Sequence, residues 1–128
     1  MDSHIRAALD SSAVIDITTT GRRSGQPRRI EISLHNLGGR LVISGMPRLE
    51  KRAWLANLEA NPALTVHLKR GVVADLPATA RVVTDVDERR ELLVRVARAW
   101  NRTDIEDMVS HSPLIELSVP GYASADAA

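Results

Sequence analysis

From Arg28 to His35 the chain alternates strictly, with Ile30, Ile32 and Leu34 on one side and Arg29, Glu31, Ser33 and His35 on the other. A period of two belongs to a half-buried β-strand, and a slip of one residue would turn every apolar side chain into solvent. The same constraint recurs along the chain. Ala13 to Thr20 is rich in β-branched residues, Leu41 to Ser44 is short and apolar, and Leu64, Val66 and Leu68 alternate with Thr65, His67 and Lys69. Val72 to Val83 runs extended around Pro77, whose missing N–H argues for an edge or a bulge, and Leu114 to Val119 alternates again.

Only a few segments break this pattern with a helical period. Residues 3 to 10 make a short amphipathic helix through Ile5, Ala8 and Leu9. Arg48 to Ala60 reads as a helix ended by Asn61-Pro62. Asp85 and Glu88 have capping-box spacing, and Leu92, Leu93, Val96, Ala97 and Trp100 supply the apolar face of a helix from Val86 to Trp100. Asp104 to Ser110 adds a short helical turn. Gly38-Gly39 joins the second and third strands, so the first three form an antiparallel meander. The expectation is an α+β fold: an antiparallel barrel of about six strands with two main helices. A short helix occupies residues 1–12, one barrel domain spans 13–120, and residues 121–128 form a frayed tail.

One segment does not serve the barrel pattern. Thr18-Thr19-Thr20-Gly21-Arg22-Arg23-Ser24-Gly25-Gln26-Pro27-Arg28-Arg29 sets four arginines, hydroxyls and two glycines between strands. Glycines 21 and 25 allow positive φ, and Pro27 forces the chain to resume extended. Guanidinium forks bind phosphate or carboxylate oxygens bidentately, while Thr20, Ser24 and backbone amides fill the remaining acceptor positions. The segment reads as an anion cradle on a hairpin, or else as a solvated hairpin tip. No lysine follows the second glycine, so it is not a Walker loop.

Charge supports the cradle. The net charge is only +1, yet from Arg22 to Arg52 eight basic residues face two acids, Glu31 and Glu50. Cations at Arg48, Lys51 and Arg52 oppose the dipole of a helix starting there, which favours an anion nearby. Between Asp85 and Asp107 seven acids offset five arginines, the pattern of a solvated helix. With no Phe, one Tyr and two Trp, the chain lacks stacking platforms for single-stranded nucleic acid, and nucleic acid is not expected as a partner. Without cysteine there is no thiolate catalysis, thiolate metal site or disulfide. His35, His67 and His111 show no ligand spacing, so no metal site is expected and strand-face or surface positions are. No apolar run is long enough for stable membrane insertion, and no leader is evident, which makes the cytoplasm the expected location.

Three segments together resemble the deazaflavin-dependent nitroreductase or quinone reductase family of the split β-barrel flavin-binding superfamily. They are Thr18 to Arg28, Trp54-Leu55-Ala56-Asn57-Leu58-Glu59-Ala60-Asn61-Pro62, and Thr65-Val66-His67-Leu68-Lys69. The resemblance spans about residues 13 to 119. It implies a split β-barrel that binds coenzyme F-420, in preference to FMN, and passes a hydride to a small conjugated acceptor such as a quinone or nitro compound. The tail of that coenzyme carries a phosphodiester and several carboxylates.

By position, Thr20, Gly21, Arg22, Arg23, Ser24 and Arg28 match tail ligands. Ser44, Gly45, Met46, Pro47 and Arg48 match the segment lining the ring or phosphate, with Trp54 and Asn57 bracing the helix behind. Hydride transfer from such a coenzyme needs orientation and water exclusion more than a catalytic triad. His111, before the last strand, is the candidate proton donor; a polar loop role is the other reading. The family carries a lysine- and glycine-containing loop after the third strand where this chain has Gly45-Met46-Pro47-Arg48, and tyrosines where it has Trp100, Asn101, Asp104, Met108 and His111. Superfamily barrels often dimerise, which implies a homodimer. The reading that competes with the enzyme is a non-catalytic carrier or sensor on the same barrel, holding a flavin, fatty acid or similar anionic amphiphile.

Overall fold

A computed structural model describes residues 1–122. The elements run α1 (Ser3–Asp10), β1 (Ala13–Thr20), β2 (Pro27–Leu37), β3 (Arg40–Ser44), α2 (Ala53–Ala60), β4 (Ala63–Leu68), β5 (Ala74–Val82), α3 (Val86–Ala99), α4 (Ile105–His111) and β6 (Leu114–Ser118). The strands close into an antiparallel barrel in the order β1-β2-β3-β6-β5-β4. The expected α+β barrel and its opening meander are thus found. Among the described residues, closure gives every strand a partner on both sides, although β3 reaches only Leu34 to Leu37 of β2 and β6 reaches β5 only from Thr79.

Alternation places Ile15, Ile17, Leu34, Leu41, Ile43, Val66 and Ile115 inside the barrel, all essentially inaccessible. Leu9 of α1 joins this core at the end where β1 begins, and Trp54 and Leu58 of α2 join it at the end where β1 finishes. Pro77 lies opposite Thr65 of β4, in the part of β5 that β6 does not reach; the β6 ladder begins at Thr79. The absent N–H therefore costs no ladder bond, as an edge position requires.

A second core lies outside the barrel, where α3 and α4 cover Val42 and Leu114 with Leu92, Leu93, Val96 and Met108. This layer corrects the reading of His35. It alternates outward as expected, but opposite Val42 the outer face is covered, and the imidazole sits buried, edge-on to Trp100 with ring centroids 5.1 Å apart. Its Nε2 has no hydrogen-bond partner among the described residues. His67 is also buried, bonded to Thr18 Oγ1 at 2.7 Å through Nε2 and to Asp75 Oδ1 at 2.7 Å through Nδ1.

Three further differences have local causes. The second helix starts at Ala53 instead of Arg48, leaving Gly45 to Arg52 as a strap. Tertiary bonds hold the strap: the Arg48 N–H donates to His111 O at 3.1 Å, and Arg52 Nη2 donates to Met46 O at 2.7 Å. The capping box of α3 is half made, because Asp85 Oδ2 accepts the Glu88 N–H at 2.9 Å while the Glu88 carboxylate turns to Arg81 and Arg40. At the C-terminus, Tyr122 packs on the barrel core and its hydroxyl accepts from Asn36 Nδ2 at 2.8 Å; residues 123–128 of the expected tail lie outside the described residues.

Candidate functional site

The arginine hairpin sits at the barrel end that α2 covers. Gly21 N–H donates to Gln26 O and Gly25 N–H to Gly21 O, each at 2.8 Å, while Ser24 Oγ accepts the Gln26 N–H at 3.1 Å. The two glycines serve different ends. Gly25 has φ of 69°, the left-handed region expected of it, whereas Gly21 has no positive φ and is needed for space. A Cβ there would lie 2.6 Å from Ser24 Oγ and 3.2 Å from Gln26 O. Steric closeness, and not backbone conformation, is what excludes a side chain at residue 21.

Asn57 ties this loop to α2. Its Oδ1 accepts from the Arg22 N–H at 3.1 Å and from Arg22 Nη1 at 3.2 Å, and its Nδ2 donates to Thr19 Oγ1 at 3.1 Å. The amide is buried and its bonds are all internal, so it fixes the direction of Arg22. Arg29 leaves the cradle. It turns to the other strand face, where its Nε donates to Asp16 Oδ2 at 3.0 Å. Glu31, on the same strand face as Arg29, pairs with Lys69 across the sheet.

Between hairpin, α2 and strap lies a cavity of about 510 Å³. Five guanidiniums line it, from Arg22, Arg23, Arg28, Arg48 and Arg52, and among the described residues no carboxylate does. Among those residues, too, none of the five forms an ion pair. Arg52 is held below the usual guanidinium range, first by burial and then by the charge of Arg48. Gly45 makes room for it, since a Cβ there would lie 3.0 Å from the Arg52 Cζ. Clustered, partly desolvated like charges raise the local potential, and an anion relieves it.

Of the expected site residues, Gly21, Arg22, Arg23, Ser24, Arg28, Arg48, Trp54 and Asn57 line this cavity. Thr20 does not; it ends β1 opposite Pro27. Ser44 does not either. Its buried Oγ donates to Pro113 O at 2.7 Å, which fastens β3 to the start of β6. Gly45, Met46 and Pro47 stand aside as well, with Met46 half-exposed beside Arg102, whose Nη1 lies 3.1 Å from its Sδ. Arg52, which the dipole argument had pointed to without assigning it to the site, lines the cavity, and the sequence reading missed Thr19, Ile30 and Ala53. Thr19 had left a signal, being the polar residue that ends the inward series Ile15, Ile17, Thr19.

His111 lies elsewhere. It ends α4 with Nδ1 2.9 Å from Asp107 Oδ1 and lines a neighbouring cavity that shares Arg48 and Arg52 with the first. No group of three or more metal-ligating side chains is found among the described residues. No helix there is long and apolar enough to cross a membrane.

Fold and site together define a closed antiparallel barrel with an arginine-lined cavity at one end. The chain belongs to the F420H(2)-dependent quinone reductase family, whose profile matches residues 2–115. The fold is shared with solved structures of low identity. An F420-H2 dependent reductase is 22% identical with a TM-score of 0.62, over 82% of this chain and 93% of that one. The conserved hypothetical protein Rv2991 from Mycobacterium tuberculosis is 17% identical with a TM-score of 0.69, over 94% and 81%. A putative pyridoxamine 5'-phosphate oxidase from Listeria innocua is 14% identical with a TM-score of 0.65, over 91% of each chain.

Family membership makes the protein an oxidoreductase with coenzyme F-420 as its cofactor, and decides against the non-catalytic carrier. The donor set fits that cofactor. Five arginines without carboxylate partners suit a tail of phosphodiester and carboxylate groups, to which guanidinium forks bind in pairs of hydrogen bonds.

Proposed function

We propose that this protein passes a hydride from reduced coenzyme F-420 to a small conjugated acceptor, a quinone or a nitro compound. The observation that carries the reading is the cavity of five arginines with no carboxylate among its described lining. In this reading Arg22, Arg23 and Arg28 hold the coenzyme's anionic tail with Ser24, Arg48 and Arg52 close the cavity from the strap, and Trp54 supplies an apolar wall. Asn57 works through Arg22. Bound in its reduced form, the coenzyme supplies one hydride, that is, two electrons and a proton.

A quinone that takes up the hydride also needs one proton to leave as hydroquinone. We assign that proton to His111, whose imidazole is oriented through Nδ1 by Asp107 Oδ1. The barrel and arginines orient the reactants and exclude water, which is where most of the rate enhancement in such a site arises. The same reading makes the protein a cytoplasmic homodimer, which light scattering and fractionation of cells producing it would check.

The test is titration with reduced coenzyme F-420, then addition of menadione while coenzyme absorbance is followed. Tight binding and acceptor-dependent oxidation are expected. Binding without oxidation would remove the reductase reading, and no binding would remove the cradle.

A further inference from the structure

Beside the arginine cavity lies a second one of about 340 Å³, between the strap, the end of β5 and the segment joining α4 to β6. Leu55, Val82, Val83 and Pro113 give it an apolar wall. Arg48 and Arg52 line both cavities, so a ligand in one meets the same two side chains as a ligand in the other.

A third guanidinium comes from α3. Arg89 donates through Nε to Val109 O at 3.0 Å, through Nη1 to Val83 O at 3.1 Å and through Nη2 to Ser112 O at 2.6 Å. These carbonyls satisfy its donors but leave its charge uncancelled, and burial pushes its pKa down. Among the described residues none of Arg48, Arg52 and Arg89 forms an ion pair. Glu50 is the one carboxylate that those residues bring to the lining; it is exposed and also unpaired. Lys51, the remaining cation, is neutralised by Glu59 at 2.7 Å.

A neutral acceptor would use the apolar wall and bring no charge to meet Arg89, or to share with the coenzyme in meeting Arg48 and Arg52. An acceptor with a flat ring and an anionic substituent uses both wall and cations. We infer that this second cavity is the acceptor subsite, and that the acceptor it favours carries an anionic group such as a carboxylate or sulfonate on its conjugated ring. The inference rests on the function proposed above. Its redox balance is unchanged: hydride and proton go to the ring, and the anionic group stays intact.

Two variants separate the subsite from the coenzyme site. Leu49 is exposed and lines the second cavity but not the first, so Leu49→Asp adds a carboxylate on the acceptor side; because Arg48 and Arg52 line both cavities, the comparison is made with coenzyme saturating. Ser110→Trp, at another exposed position of that lining, narrows the cavity. With coenzyme affinity measured first for each protein, kcat/KM is compared for a naphthoquinone sulfonate and for menadione. The wild type should favour the sulfonate about tenfold, mainly through KM, the size of one added charged hydrogen bond. With coenzyme saturating, Leu49→Asp should erase that preference, and Ser110→Trp should raise KM for both acceptors. Equal efficiency in the wild type, or a preference that survives Leu49→Asp, would overturn the anionic-acceptor inference while leaving the reductase reading intact. Loss of coenzyme binding in the wild type would overturn both.

Discussion

Asn57 holds Arg22 by two atoms at once, accepting from its backbone N–H at 3.1 Å and from its Nη1 at 3.2 Å. The amide on α2 thereby sets both the path of the hairpin and the aim of its first guanidinium. Asn57→Leu would leave the buried Thr19 Oγ1 without its donor, at about 1–3 kcal/mol for an unsatisfied group, and would release the Arg22 N–H. Asn57→Asp keeps the Oδ1 acceptor but replaces the Nδ2 donor with a second oxygen and neutralises the Arg22 guanidinium that the coenzyme would otherwise meet. We expect Asn57→Leu to lose more stability in urea unfolding, and both to bind coenzyme F-420 more weakly. Equal coenzyme affinity in all three proteins would show that Asn57 has no part in aiming Arg22.

Arg22 and Arg23 are the test of the cradle itself. Replacing either by alanine should weaken coenzyme binding by about 1–3 kcal/mol for each charged hydrogen bond removed. The affinity of the wild type should also fall with added salt, more steeply than that of the double variant, because partly exposed charges are screened. A fluorescence titration at two ionic strengths measures both effects, and parallel salt slopes would count against the assignment.

Gly21→Ala places a methyl 2.6 Å from Ser24 Oγ and 3.2 Å from the Gln26 carbonyl. The serine can rotate away, but the carbonyl belongs to the hairpin backbone. The expected result is a modest loss of stability, about 1 kcal/mol on the scale of overpacking, with a larger loss of coenzyme affinity as the loop re-forms. Unchanged affinity would mean that the loop's observed shape is not the one that binds.

Acid should unfold the protein through two groups of residues. Glu88, held near a pKa of about 2 by Arg81 and then Arg40, titrates lower in the fold than in the unfolded chain, and Glu116 is lowered first by Arg40. Their contribution is complete above the ordinary value of 4.5 and is lost as the pH falls from there towards 2. Arg81→Met should flatten that part of a stability profile.

His35 acts in a higher window. Burial alone lowers its pKa from 6.5, so the unfolded chain takes up the proton first. Stability from this residue is full above 6.5 and declines as the pH drops below it, until the buried imidazole is itself protonated. His35→Phe keeps a ring beside Trp100 and should remove the decline that begins as the pH falls below 6.5. A profile identical to the wild type in that range would contradict the burial account.

Much of this was legible in the chain. Alternation at Arg28 to His35 and at Leu64 to Lys69 fixed which side chains enter the barrel, because a period of two allows one buried face whatever the partner strand is. The glycines and arginines of the hairpin marked either a cradle or a solvated tip, and five of the residues from Gly21 to Arg28 line the arginine cavity. What a period cannot say is where the outward face meets another layer. His35 looked like a surface residue until α3 and α4 covered it, and Arg48 to Arg52 looked helical until His111 O and Met46 O, remote in sequence or across the strap, claimed their donors. The concentration of arginines in the hairpin was therefore determined by sequence, which sets residue types and local spacing. The cavity that Arg48 and Arg52 share with the hairpin was decided only by tertiary structure, because closing the barrel brings together segments that no local pattern connects.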